Sequence, residues 1–124
     1  MEIKEEKPVK VFITPHYHYD YLWCDTADGM GAKTAKIIKE ALILMRKYPS
    51  YKYVIDSVMS VEYFKLHYPD MMYELKKRVK QGRVELMGGD IVAPDQLMPN
   101  GESLVRQFLY GAHYFKKHFG VESK

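Results

Sequence analysis

His16, His18 and Asp20 stand two residues apart in the run Pro15-His16-Tyr17-His18-Tyr19-Asp20. In extended chain, residues two apart project to the same side. Two imidazoles and a carboxylate can therefore face one point, and that donor set suits a zinc-like divalent ion. The bland alternative is a polar loop that caps a sheet, and the spacing alone leaves both readings open. The chain has no H-E-x-x-H and no second close pair of histidines. His67, His113 and His118 fall in helical segments, where surface or packing roles are expected.

Trp23, the only tryptophan, comes three residues after Asp20. An indole face beside an ion can stack on a sugar ring, although packing is the default role of a lone tryptophan. Cys24 has no base partner in the sequence, so a small buried residue is expected rather than a nucleophile. Carboxylates recur downstream, with Asp56 at the end of a second apolar run and Asp90 and Asp95 after a third. Together they would make a negative rim able to hold a cation or to hydrogen-bond sugar hydroxyls. Taken singly, Asp56 reads as a helix cap, and Asp90 and Asp95 read as turn formers.

Side chains of this kind need a scaffold, and the sequence offers strands alternating with helices. Val9 to Thr14 is a short run rich in β-branched residues and reads as a buried first strand ahead of Pro15. Ala35, Ile38, Leu42 and Met45 then form one stripe on a helix from about Met30 to Tyr48, closed by Pro49. Tyr51 to Val58 is the second strand, and Ser57 or Ser60 is the expected cap of the next helix. Pro69 divides the next stretch into a short helix near Val61 to His67 and a longer one near Asp70 to Gln81. Met72, Leu75 and Val79 keep the helical spacing in the longer piece, and Gly82 suits the left-handed position after it. Arg83 to Met87 is the third strand, ended by Gly88-Gly89, with a loop from Asp90 to Asn100. Asn100 caps the last helix, Glu102 complements its dipole, Val105, Phe108, Ala112 and Phe115 make its stripe, and Gly120 closes it.

The class is therefore α/β, with three successive βα units whose strands run parallel in sequence order. A parallel sheet needs cover on both faces or closure into a barrel. Three strands achieve neither well, so residues 1–124 read as a piece that continues past its C-terminus. A complete three-stranded domain is the alternative. The sites of parallel β/α folds lie at the C-terminal ends of strands, and His16, His18 and Asp20 fall at that end of the first.

Whole-chain properties narrow the classes further. The net charge of +3 is interspersed along the chain. Lys76-Lys77-Arg78 is its densest patch and reads as a solvated helix face, not a nucleic-acid site. A single cysteine excludes an internal disulfide and fits a reducing compartment. The charged N-terminus has no stretch of signal-peptide type, and the longest aliphatic run, Ala41 to Met45, is too short to span a bilayer. A cytoplasmic protein with no nucleic-acid and no membrane partner is expected.

The run Pro15-His16-Tyr17-His18-Tyr19-Asp20, with Trp23 after it, resembles the opening motif of glycoside hydrolase family 38, the class II α-mannosidases. Tyr53-Val54-Ile55-Asp56 is similar to that family's second strand. Gly82 to Leu86, Gly88-Gly89, Pro94-Asp95 and Gly101 to Gln107 resemble its third strand, loop and following helix. The resemblance covers about Val9 to Gly120. It implies that residues 1–124 are the N-terminal part of a catalytic β/α barrel that holds zinc, or another divalent ion such as cobalt. His18 and Asp20 map onto two metal ligands, with His16 as a possible extra one. Trp23 maps onto a residue against the sugar, and Asp95 is a further candidate substrate contact. The implied reaction hydrolyses terminal α-mannosidic bonds with retention, through a covalent glycosyl-enzyme. The nucleophile and acid are expected beyond Lys124, so no catalytic residue is assigned within the chain. The implied partners are an α-mannoside or oligosaccharide substrate and the remainder of the catalytic domain, with a homo-oligomer as a further expectation. The chain departs from the family pattern twice. Tyr21-Leu22 replaces the family's usual Pro-Gly, and no nucleophile is in reach. A deacetylase-like metal hydrolase and a non-catalytic βα module remain as alternatives. Tyr17→Phe is expected to be mild, because alternation turns its side chain away from the ion.

The 124 residues alone are expected to behave as an incomplete unit. An open strand edge and uncovered apolar faces favour association, and the nucleophile is missing. The isolated chain should self-associate in size-exclusion chromatography and release no nitrophenol from an aryl α-mannoside, with or without added zinc. Clear hydrolysis would contradict the expected division of the site.

Overall fold

The structure, a computed structural model, describes residues 9–18, 20, 23–95 and 97–123. The charged stretch Met1 to Pro8 and the Tyr21-Leu22 replacement lie outside the described residues. Helix α1 (Ala27–Lys47) begins where the Thr26 hydroxyl accepts from the Gly29 amide at 3.1 Å. That bond satisfies one of the orphan donors of the first turn. Ala35, Ile38, Leu42 and Met45 are all buried, as their spacing predicts. Strand β1 (Tyr53–Ser57) runs without a loop into α2 (Val58–His67). Pro69–Met71 forms a 3-10 turn, and α3 (Met72–Lys80) comes next with Leu75 and Val79 inward. Gly82 stops that helix at φ 65°. Strand β2 (Val84–Asp90) leads to α4 (Gly101–Phe119). The Asn100 Oδ1 of that helix accepts from the Ser103 amide at 2.8 Å, and Gly120 closes it at φ 71°.

Strands β1 and β2 pair in parallel, with Tyr53 opposite Val84 and Ile55 opposite Leu86. Past that point Ser57 pairs with Asp90. From Ile55 to Ser57, β1 advances two residues (57 − 55), while β2 advances four (90 − 86). The two extra residues form a bulge at Gly88 and Gly89, whose φ values of 75° and 78° only glycine adopts without strain. Helix α4 lies directly on the bulge, since a Cβ on Gly111 would stand 1.9 Å from the Gly89 carbonyl oxygen. The core between the four helices and the sheet is led by Phe64, Phe115, Ile38, Leu42 and Ile55, each almost wholly removed from solvent.

The structure corrects three expectations. The first strand over Val9 to Thr14 is not formed, so two parallel strands stand among the described residues instead of three. Just past that segment, the Pro15 carbonyl accepts from the Val54 amide of β1 at 3.4 Å. Val9, Val11, Phe12 and Ile13 are 78–90% exposed. A central parallel strand needs apolar cover on both faces, and no described residue covers these four. The third strand does not stop at Met87 but passes through the glycine bulge to Asp90, which is a strand residue and not a loop residue. On α4, Phe115 is buried as expected, but Val105 and Phe108 are exposed, and inward packing falls to Gly111, Phe115 and Phe119.

The Gly111 contact has a direct test. Gly111→Ala forces a methyl into backbone and should cost about 3 kcal/mol in urea unfolding, the upper range for overpacking. Gly101→Ala, with no atom within 4 Å of its Cβ position, should leave stability near wild type.

Candidate functional site

Beyond Pro15, whose carbonyl accepts from the Val54 amide of β1 at 3.4 Å, the side chains alternate in exposure. Tyr17 is half-buried, its ring stacked on Tyr53 at 6.5 Å and 13°, and its hydroxyl donates to Ser60 Oγ at 3.1 Å. His16 and His18 are exposed on the other side of the run. His18 Nε2 lies 3.2 Å from Asp20 Oδ1, in a pair open to solvent. The structure thus brings together an imidazole nitrogen and a carboxylate oxygen, two donors of the kind a borderline divalent ion takes. Among the described residues no group of three His, Cys, Asp or Glu side chains forms, so His16 stands outside the pair.

Trp23 lies in a bend and is 77% exposed, so its indole face is free and packing is not its role among the described residues. Cys24 is also exposed, which corrects the buried position expected for it. It sits in the bend ahead of α1, where the polar groups of Asp25 set the local structure. Asp25 Oδ1 accepts from the Thr26 amide at 2.8 Å, and its Oδ2 accepts from Lys33 Nζ at 3.0 Å. Those two donors, Lys33 foremost, hold the Asp25 carboxyl below its ordinary pKa.

The remaining carboxylates occupy three different settings. Asp56 is half-buried within β1, one residue before its end. Asp90 ends β2, with Oδ1 buried and lacking a hydrogen-bond partner. Burial raises its pKa, and the nearby Asp56 charge adds to the effect. Asp95 is exposed, and its Oδ1 accepts from the Leu97 amide at 3.1 Å, the Asx-turn geometry of a turn former. His67 and His113 are on the surface, and His118 is half-buried, stacked on Tyr114 at 4.3 Å.

Sequence reasoning misses two features that shape this end of the sheet. Gln107 Oε1 accepts from the Ile91 and Val92 amides at 3.1 and 3.2 Å and so pins the chain leaving β2. Its available signal is a long polar side chain one turn ahead of Gly111 on the same face of α4. Ser57 and Ser60 have the character of helix caps, yet their hydroxyls lie 2.8 Å apart and face Tyr17.

Residues 8–124 match the N-terminal domain of the glycosyl hydrolases family 38. The chain belongs to that family. It is 31% identical to "Alpha-mannosidase G" of Dictyostelium discoideum over 115 residues, 93% of this chain and 11% of that protein. It is 31% identical to an "Alpha-mannosidase" of Saccharomyces cerevisiae over 108 residues, 86% of this chain and 10% of that protein. Identity to human "Alpha-mannosidase 2C1" is 30% over 110 residues, 89% of this chain and 11% of the relative. The chain therefore spans about a tenth of the length of these relatives. The α/β layout with parallel strands is consistent with that membership.

Asp90 gives a pH-dependent prediction. Its raised pKa means that the folded state holds a proton more readily than the unfolded chain. Stability therefore falls as pH rises from the ordinary value of 3.8 through the raised one. Asp90→Asn should melt higher than wild type near neutral pH, with the difference shrinking in acid. Thermal melts across the acid range test this, and a gap independent of pH would contradict it.

Proposed function

We propose that the chain is the N-terminal part of the catalytic β/α barrel of a metal-dependent, retaining α-mannosidase. In the completed barrel, Val9 to Thr14 pairs beside β1 as the first strand. The observation that carries the reading is the His18–Asp20 pair, in a chain whose family relatives are named α-mannosidases. Two ligands about 2.1 Å from a tetrahedral ion stand about 3.4 Å apart. The 3.2 Å between His18 Nε2 and Asp20 Oδ1 supports a fit to zinc or a similar ion such as cobalt. When bound, such an ion supplies Lewis-acid attraction for the hydroxyls of the sugar.

The chain's own residues bind and orient. His18 and Asp20 offer the two donors, and His16 can reach the same solvent-facing side as an extra one. Trp23 offers an open indole face for the sugar ring. Asp95, with one carboxylate oxygen bonded to the Leu97 amide, retains acceptor capacity for a sugar hydroxyl. Nucleophile, acid and remaining ligands are assigned to the large part of the relatives' length that this chain does not span. That remainder is also the proposed cover for the exposed Val11, Phe12 and Ile13. Among the described residues no helix is long and apolar enough to cross a membrane. A cytoplasmic location is the proposal that the single cysteine supports.

The test is nitrophenol release from an aryl α-mannoside by the intact enzyme. His18→Ala and Asp20→Ala should each lower turnover by at least about a hundredfold, at or beyond the loss typical of outer-shell metal changes. Both side chains are mostly exposed, so far-ultraviolet circular dichroism should be unchanged. Near-normal turnover in Asp20→Ala would contradict the assignment.

A further inference from the structure

Tyr17 is the one side chain among residues 9–18 that is not exposed. Everything else on that segment faces solvent, including the apolar Val9, Val11, Phe12 and Ile13 and the two histidines. The segment's attachment to the body of the protein is therefore concentrated at two neighbouring points. One is the bond from the Val54 amide to the Pro15 carbonyl at 3.4 Å. The other is Tyr17, whose ring lies on Tyr53 and whose hydroxyl meets Ser60 Oγ at 3.1 Å. Ser60 Oγ is 2.8 Å from Ser57 Oγ, and both serines are 1% exposed. The three hydroxyls form a chain, in which Tyr17 donates to Ser60 and Ser60 can donate to Ser57.

The position of Ser57 shows what this arrangement costs locally. It occupies the N-cap of α2, where a serine oxygen ordinarily accepts from an amide in the first turn. It makes no such bond, and its hydroxyl is given to the chain that ends at Tyr17. A local helix preference is overridden in favour of a long-range contact, a pattern expected at functional sites. The serines sit at the last residue of β1 and the first turn of α2, both packed into the rigid core. They make a fixed anchor at the C-terminal end of β1, and Tyr17 is the residue between the two histidines.

We propose that Tyr17 is a positioning residue, whose stack on Tyr53 and hydroxyl bond to the Ser60–Ser57 pair hold His16, His18 and Asp20 over the C-terminal end of β1. It acts by fixing the backbone that carries His18 and Asp20, through the ring stack on Tyr53 and the hydroxyl bond to Ser60. The placement stands on geometry alone. Its consequence for turnover rests on the α-mannosidase reading.

The experiment compares wild type, Tyr17→Phe, Ser60→Ala, the double variant and Tyr17→Ala in the intact enzyme. Tyr73→Phe, on an exposed tyrosine of α3, serves as a control. Amide hydrogen exchange of residues 16–20 is read first and needs neither metal nor activity. Tyr17→Phe and Ser60→Ala should each speed that exchange about fivefold, as loss of one net hydrogen bond predicts. The double variant should exchange no faster than either single one, and kcat/KM should show the same non-additive pattern. Tyr17→Phe keeps the ring and should remain the milder change. Tyr17→Ala loses ring and hydroxyl and should lower kcat/KM by about a hundredfold, the cost of an ångström-scale misplacement. Unchanged exchange at residues 16–20 in Tyr17→Phe and Tyr17→Ala would overturn the proposal. So would effects of Tyr17→Phe and Ser60→Ala that multiply in the double variant. Faster exchange with a wild-type enzyme that cleaves no α-mannoside would uphold the clamp and sink the mannosidase reading instead.

Discussion

The guanidinium of Arg83 holds the ends of three elements together. Its Nη2 donates to the carbonyls of Met45, Tyr48 and Tyr51 at 3.0, 2.7 and 3.1 Å. The first two belong to the end of α1, where carbonyls have no helical partner. Charge on the donor makes such bonds stronger than neutral ones. The Arg83 carbonyl in turn accepts from the Tyr53 amide at 2.9 Å, where β1 and β2 begin their pairing. One residue thus fixes the last turn of α1 against the start of the sheet. Because α1 ends there, it must begin at the opposite end, where the strands finish. That direction carries Trp23, Asp25 and the Thr26 cap toward the end where the strands finish.

The same end of the sheet is shaped by the glycine bulge of β2. Two positive-φ glycines lengthen β2 relative to β1 and bring Asp90 opposite Ser57. Gly111 lets α4 sit on the bulge backbone, and Gln107 bonds the two amides just beyond it. Backbone carbonyls, amides and small residues therefore determine where the carboxylates of this rim lie. Asp90 bears the cost, with a buried unpartnered oxygen beside Asp56 and a pKa pushed upward by burial.

Legible and hidden features of the chain divide along a physical line. The stripe of α1, the turn glycines at 82 and 120 and the Asn100 cap depend on local periodicity and local backbone preference, and all form where those patterns place them, as do the two paired strands apart from the extension of β2 through its glycines. Val9 to Thr14 has strand composition, but a strand exists only with neighbours on its edges and faces, and composition cannot report those. Val105 and Phe108 fail in the same way, since a periodic stripe marks a face without showing what covers it. The exposure of Cys24 is hidden because burial of a small thiol depends on the path of the bend around it. The His-x-His-x-Asp pattern tells which side chains could meet, and His18 and Asp20 do meet while His16 stays apart. The partner of Tyr17 lies 43 residues away, so no local pattern announces the hydroxyl chain.

The central proposal is that His18 and Asp20 hold the ion of an α-mannosidase. The most direct measurement is anomalous scattering at the zinc edge from crystals of the intact enzyme. The account predicts a peak within about 2.0–2.2 Å of His18 Nε2 and of an Asp20 carboxylate oxygen, above the C-terminal end of β1. A fully occupied zinc peak elsewhere, with His18 and Asp20 bonded only to each other, would contradict it.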